Sequence, residues 1–187
     1  MNKKRIYLIS GFILLAAISR LFPHPTNFTP IGAISIFGAA YFSDKKLAFL
    51  LPLFAMFISD LLVNNILFGS FYDGFMLFTP GFWYIYGSIA LMVLVGFVFL
   101  KKVTVSRVIG GGLVSSVLFF LITNAGVWLG SPLYPQTLEG LMSSYAMGIP
   151  FFQYSVLGTL FYSAIMFGAF EYAKNRFPDL QKKEIRL

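Results

Sequence analysis

Five long apolar stretches constrain this chain more than any other feature: Ile6–Phe22, Leu47–Phe68, Gly81–Leu100, Val108–Leu129 and Ile149–Tyr172. Each is close to the roughly 20 residues that an α-helix needs to cross the hydrocarbon core of a bilayer. Only 11% of the 187 residues are charged and 58% are apolar. A soluble domain is typically about a quarter charged, and a water-soluble protein could not hide this much apolar surface. The length suits one compact bundle without a second domain.

A sixth apolar run, Ile31–Phe42, spans only about 18 Å at about 1.5 Å per residue, which is short for a full crossing. Charge decides whether it crosses. If it does, and the N-terminus is cytoplasmic, the inner segments hold Lys3, Lys4, Arg5, Lys45, Lys46, Lys101, Lys102, Arg107, Lys174, Arg176, Lys182, Lys183 and Arg186. That leaves Arg20 as the single outer basic residue of fourteen. If it does not cross, the later clusters change sides and the positive-inside bias collapses. The prediction is therefore an all-α integral membrane bundle of six transmembrane helices, multi-pass, with both termini cytoplasmic, a short second helix and ordered outer loops. Residues 1–173 form the single transmembrane domain, and 174–187 form a charged cytoplasmic tail with a frayed helix end. The first run is read as retained, because no small-x-small cleavage site precedes Pro23.

The net charge of +7 sits in short clusters between apolar runs, which reads as topology and not as a nucleic-acid surface. The chain has no cysteine and one histidine, His24. Disulfides, thiolate chemistry and the common zinc or di-iron sites are excluded. No GxSxG or P-loop sequence is present. The expectation is no enzyme, no cofactor and no metal. Gly110-Gly111-Gly112, and the Ala164/Gly168 pair on the last helix, read as small residues that let helices pack closely.

Candidate chemistry lies in the outer segments, Pro23–Pro30, Gly69–Pro80 and Gly130–Gly148, which are longer than a connection needs and rich in Pro, Asn, Thr and aromatics. Three prolines make Pro23–Pro30 extended or turned. It precedes the short helix, so non-helical backbone dips to membrane depth here. Such backbone is tolerated only under protein or beside a water-filled cavity. His24 and Asn27 belong to this segment. Asp60 falls in the outer half of its helix, where a carboxylate costs a few kcal/mol and usually faces the interior. Asn64 follows at i+4 on the same face, and Arg20 is at a comparable height. An Arg20–Asp60 ion pair is expected, either as a helix clamp or as the wall of a ligand pocket. Asn124 and Trp128 share a face near the outer end of the fifth helix. The next loop offers Tyr134, Glu139 and Tyr145, a mixture of flat aromatic and polar groups that suits a small organic ligand.

The segments Ser19–Ala33, Ser59-Asp60, Thr123–Leu129 with Tyr134-Pro135, and Ile149–Phe152 resemble an uncharacterised bacterial membrane family described as transport proteins. The Arg-x-x-Pro-His-Pro-x-Asn-Phe-x-Pro signature carries most of that resemblance, which implies a location in the bacterial inner membrane. More distantly, the chain resembles the substrate-binding S components of energy-coupling-factor vitamin transporters. That resemblance implies an outer site for a vitamin-like small molecule, capped by the loop after the first helix, and partner ATPase and scaffold membrane subunits. The Ala-x-x-x-Ala docking face common in those subunits has no clean copy, since Ala16 and Ala17 are adjacent. Two readings follow. One is a substrate-binding transport subunit or small transporter. The other is a non-transport assembly protein whose outer face binds another envelope protein.

Overall fold

The computed structural model describes residues 2–181. Among them are six α-helices and no strand: α1 Lys3–Ile18, α2 Ile31–Tyr41, α3 Lys45–Leu62, α4 Phe82–Phe99, α5 Val105–Gly130 and α6 Leu138–Arg176. A π-helical turn, Val63–Leu67, prolongs α3. Four helices are long and apolar enough to cross a membrane: the prolonged α3, α4, α5 and α6. α1 has 16 residues and α2 only 11.

The short α2 is the centre of the bundle. All of its residues are buried except Ala40, which is half-buried, and it packs against every other α-helix. A helix that is apolar all round has no face for water and is stable only when enclosed. Its two hydroxyls are both engaged: Ser35 donates to the Ile31 carbonyl at 2.8 Å, and Tyr41, in the last turn, donates to Glu171 at 2.6 Å. Phe37 meets the edges of Phe12, Tyr41, Phe167 and Phe170. Small residues set how closely the neighbours approach. A Cβ on Gly96 of α4 would lie 2.5 Å from Cβ of Ala39 and 3.1 Å from Cα of Ile36.

The chain reaches α2 through an irregular segment between Leu21 and Ile31, as its three prolines require. Protein covers its last residues. Phe28 packs on Phe161 and Tyr162 of α6, and Gly158 lets the Thr29 backbone lie directly on that helix, where a Cβ would come within 2.7 Å of the Thr29 nitrogen.

Three boundaries depart from the sequence expectation. α1 ends at Ile18 and not at Phe22. Ser19–Leu21 tighten into a 3-10 turn, in which the Ser19 hydroxyl donates to the Ala16 carbonyl at 2.6 Å. α6 begins at Leu138, so the Gly130–Gly148 loop is confined to residues 131–137. Thr137 caps the new start by accepting from the Gly140 N–H at 3.2 Å, and Glu139 lies in the first turn, where the helix dipole favours an anion. Its own backbone N–H, and then the Thr137 hydroxyl, hold the Glu139 carboxyl below the usual range. Two glycines within that predicted loop are points of close approach on α6: Gly148 faces the Asn124 side chain and Gly140 the Pro135 carbonyl.

The tail is the third departure. α6 continues to Arg176, and a 3-10 turn at Pro178–Leu180 docks on the start of α1. Lys4 pairs with Asp179 at 2.8 Å, which raises the lysine above its usual range. Arg5 donates to the Leu180 carbonyl at 2.6 Å. The remainder of the predicted tail, residues 182–187, lies outside the described residues. Arg5, Lys101 and Lys174 line one cavity, so basic clusters far apart in sequence meet at one end of the bundle.

Gly96→Val should lower stability by about 1–3 kcal/mol through overpacking against α2. Gly87→Val, where an added Cβ meets nothing within 4 Å, should stay within about 0.5 kcal/mol. Thermal unfolding of both variants in one detergent checks this.

Candidate functional site

The 3-10 turn after α1 aims Arg20 at α3. Its Nη1 lies 2.6 Å from Oδ1 of Asp60 and donates to the Ser59 hydroxyl at 3.1 Å. The Ser59 hydroxyl donates in turn to the Ala17 carbonyl at 2.9 Å. From α4, the Tyr86 hydroxyl donates to the other carboxylate oxygen, Oδ2, at 2.7 Å. The expected ion pair therefore forms, and it ties three elements together. Both side chains are largely withdrawn from solvent, 13% exposed for Arg20 and 11% for Asp60. Removing such ions from water costs several kcal/mol each, which the pair offsets only when the remaining polar atoms also find partners. Ser59 and Tyr86 supply those partners.

Beside the pair is a cavity of about 170 Å³. Its polar wall is Arg20, Asn27, Thr29, Asp60, Asn64 and Thr79, and its apolar wall is Ile31, Met56, Ile85 and Phe119. A much smaller space of about 10 Å³ shares Thr29, Ile31 and Phe119 with it and adds Ser116, Ser155 and Thr159. That space is on the scale of one water molecule.

Local backbone features place the two asparagines in this wall. The π-turn, with the Phe68 N–H donating to the Val63 carbonyl at 3.0 Å, inserts an extra residue into the last turn of α3. Single π-turns of this kind recur at functional sites. Asn64 donates from Nδ2 to the Thr79 hydroxyl at 2.8 Å. Asn65 clamps the following loop, donating to the Leu61 and Met76 carbonyls and accepting from the Met76 N–H at 2.7 Å. Asn27 has φ of +66°, a left-handed conformation that asparagine tolerates better than most residues. Its carbonyl accepts from the Thr29 N–H at 2.9 Å, so the reversal brings Asn27 and Thr29 to the cavity together.

The ten candidate residues thus divide. Arg20, Asn27, Asp60 and Asn64 line one cavity. His24 is exposed, with Nδ1 3.0 Å from the Pro25 carbonyl, and is not in its wall. Asn124, Trp128, Tyr134, Glu139 and Tyr145 belong to the α5–α6 hairpin. There Asn124 donates to the Phe120 carbonyl at 2.8 Å, Trp128 to the Pro135 carbonyl at 2.9 Å and Tyr145 to the Leu121 carbonyl at 3.1 Å. These contacts fasten the hairpin to itself. Tyr134 is half-buried in its loop and Glu139 is exposed in the first turn of α6.

Sequence reasoning missed Tyr86, Thr29, Thr79 and Phe119. Tyr86 was the most legible of these, because a phenol inside a largely apolar helix needs a partner. No group of three or more metal-ligating side chains occurs among the described residues.

A helical bundle with several membrane-length apolar helices, enclosing a charged pair beside a small polar cavity, is the class these observations define. The chain belongs to the family of unknown function DUF6580, whose match runs over residues 1–180. No curated protein and no solved structure matches it.

Asp60→Ala should cost about 3–5 kcal/mol, because it leaves Arg20 charged and unpaired in the interior. Arg20→Met combined with Asp60→Leu should cost clearly less than the sum of the two single changes. Denaturant unfolding of Arg20→Met, Asp60→Leu and their combination in detergent measures this coupling, and the same measurement on Asp60→Ala checks its cost.

Proposed function

We propose that this protein is a six-crossing inner-membrane protein, with both termini cytoplasmic, that captures a small polar molecule in the cavity beside Arg20 and Asp60. Large apolar side chains face outward along the helices, among them Leu15, Leu50, Phe54, Leu94, Val98, Val117 and Leu157. A surface of that kind suits lipid far better than water. Basic clusters gathered at one end fit the positive-inside pattern. The observation that carries the functional reading is the cavity wall itself. Ionisable groups inside a membrane bundle usually mark a solute or ion path, and here amide and hydroxyl groups from Asn27, Thr29, Asn64 and Thr79 surround the same space.

Size narrows the ligand. Sites for drug-sized molecules run to about 300–1,000 Å³, whereas this cavity holds about 170 Å³. A solute of a few heavy atoms fits it as it stands. A vitamin-like ligand, as in the S-component-like reading with its ATPase and scaffold partners, would require Pro23–Pro30 to lift. Most of that segment is exposed, so it is the natural lid.

One observation favours the rival reading, an assembly protein that binds another envelope protein. Both Asp60 oxygens are already engaged, by Arg20 and Tyr86, as a static clamp requires.

The transport reading expects a small molecule to co-purify and to be seen by mass spectrometry. Asn64→Ala should reduce that ligand at least about tenfold, the loss of one hydrogen bond to a well-held polar group, with helix content retained. Asn124→Ala, outside the cavity, should leave it bound. A ligand-free protein that recovers an envelope partner in pull-downs, without ATPase subunits, supports the rival instead.

Topology is tested separately. The chain has no cysteine, so Lys45→Cys should react with an impermeant maleimide only after the cells are opened, and His24→Cys in intact cells. Labelling of residue 45 from outside removes the six-crossing reading.

A further inference from the structure

The Ala164/Gly168 pair does not do what its spacing suggested. Both residues are exposed, a Cβ on Gly168 would meet nothing within 4 Å, and no helix of the described chain closes on them. They line a groove of about 620 Å³ between the first turns of α5 and the later turns of α6, with Val105, Val108, Ile109 and Leu160 as its apolar walls. The groove shares Val103 and Glu171 with a second cavity, of about 470 Å³, at the basic end of the bundle.

That second cavity is polar and cationic. Arg5, Lys101 and Lys174 line it against one carboxylate, Glu171. Glu171 is shared between Lys174, at 2.7 Å, and the Tyr41 hydroxyl, at 2.6 Å. Arg5 is 5% exposed, and its Nε–H has no acceptor among the described residues. Lys101 is exposed, as is its neighbour Lys102. An apolar trough opening sideways into a pocket with excess positive charge is complementary to one kind of molecule, an amphiphile with an anionic head.

We propose that the basic-end cavity and the α5–α6 groove form one site for an anionic phospholipid, with its headgroup among Arg5, Lys101 and Lys174 and an acyl chain along Ala164 and Gly168. Basic pockets between helices on the positive side of a membrane protein are recognised places for such headgroups. The proposal rests on the bilayer reading above and is independent of the Arg20–Asp60 cavity.

The test uses the full-length protein in detergent, with phosphatidylglycerol and phosphatidylcholine as probes and retained lipid counted by native mass spectrometry. Phosphatidylglycerol should be held in preference to phosphatidylcholine. The Lys101→Gln/Lys174→Gln double variant should weaken that preference by about fivefold for each lysine removed. Gly168→Leu, which fills the trough, should lower retention of both lipids. Lys101 is exposed, so Lys101→Gln alone tests the charge without risk to the fold. Equal retention of the two lipids, or a preference that survives the lysine changes, overturns the proposal. So does full displacement of phosphatidylglycerol by inorganic phosphate, which would make the cavity a free-anion site. A dimer that Gly168→Leu abolishes also overturns it, since the groove would then hold a second copy of the chain. Pelleting with membranes after an alkaline carbonate wash reports on the bilayer reading by itself. A chain that washes off fails that reading, while one that stays but shows no lipid preference fails only this proposal.

Discussion

Enclosure of α2 on every side is the constraint on which the rest of the structure depends. An eleven-residue helix with no polar face cannot be left at a surface, and it is too short to stabilise itself by propensity. Each neighbouring helix therefore supplies a surface to it. α4 does so with Gly96, α6 with Thr159 set against Gly32, and α1 with Phe12 against Phe37. At Gly96 a single added methyl group would meet the Ala39 side chain and the Ile36 backbone, so van der Waals contact alone decides how closely α4 and α2 approach.

The position of α2 also explains the cavity. A short central helix is reached by irregular chain, of which residues 23–27 stay exposed and only 28–30 are covered by protein. Backbone without helical hydrogen bonds must find partners locally, which it does by reversing at Asn27 and lying on Gly158. The space left where the helix begins is lined by whatever polar groups the neighbouring helices present at that height. Arg20, Asp60, Asn64 and Thr79 meet there, drawn from three separate stretches of sequence.

Energetically the Arg20–Asp60 pair could serve as a clamp or as one wall of a binding site, and its geometry is suited to either. Its oxygens are satisfied from two directions, so the pair is stable without a ligand. The adjoining asparagine and threonine groups, in contrast, bond mainly to one another or to their own loops. A solute could exchange with those weaker contacts without breaking the ion pair. This separation of a fixed charged support from exchangeable amide and hydroxyl groups makes the cavity a better candidate for binding than the hairpin aromatics.

The sequence by itself determined the helical class, five of the six helices to within a few residues, and the partnership of Arg20 with Asp60. Apolar run length and the expense of an unpaired intramembrane charge are local or pairwise facts. It also led to two errors of one kind. Gly130–Gly148 reads as a loop where the first turns of α6 form, and Ala164 with Gly168 reads as a closed helix contact. A glycine records only that no side chain is present, and the neighbouring chain decides whether that absence is filled by another backbone, as at Gly140, by a side chain, as at Gly148, or left as an open groove, as at Gly168. For the same reason Asn124, Trp128 and Tyr145 could not be separated in advance from Asn27 and Asn64. Residue type shows that a polar group needs a partner, and only the packing of α5 on α6 shows that the hairpin groups had already found theirs.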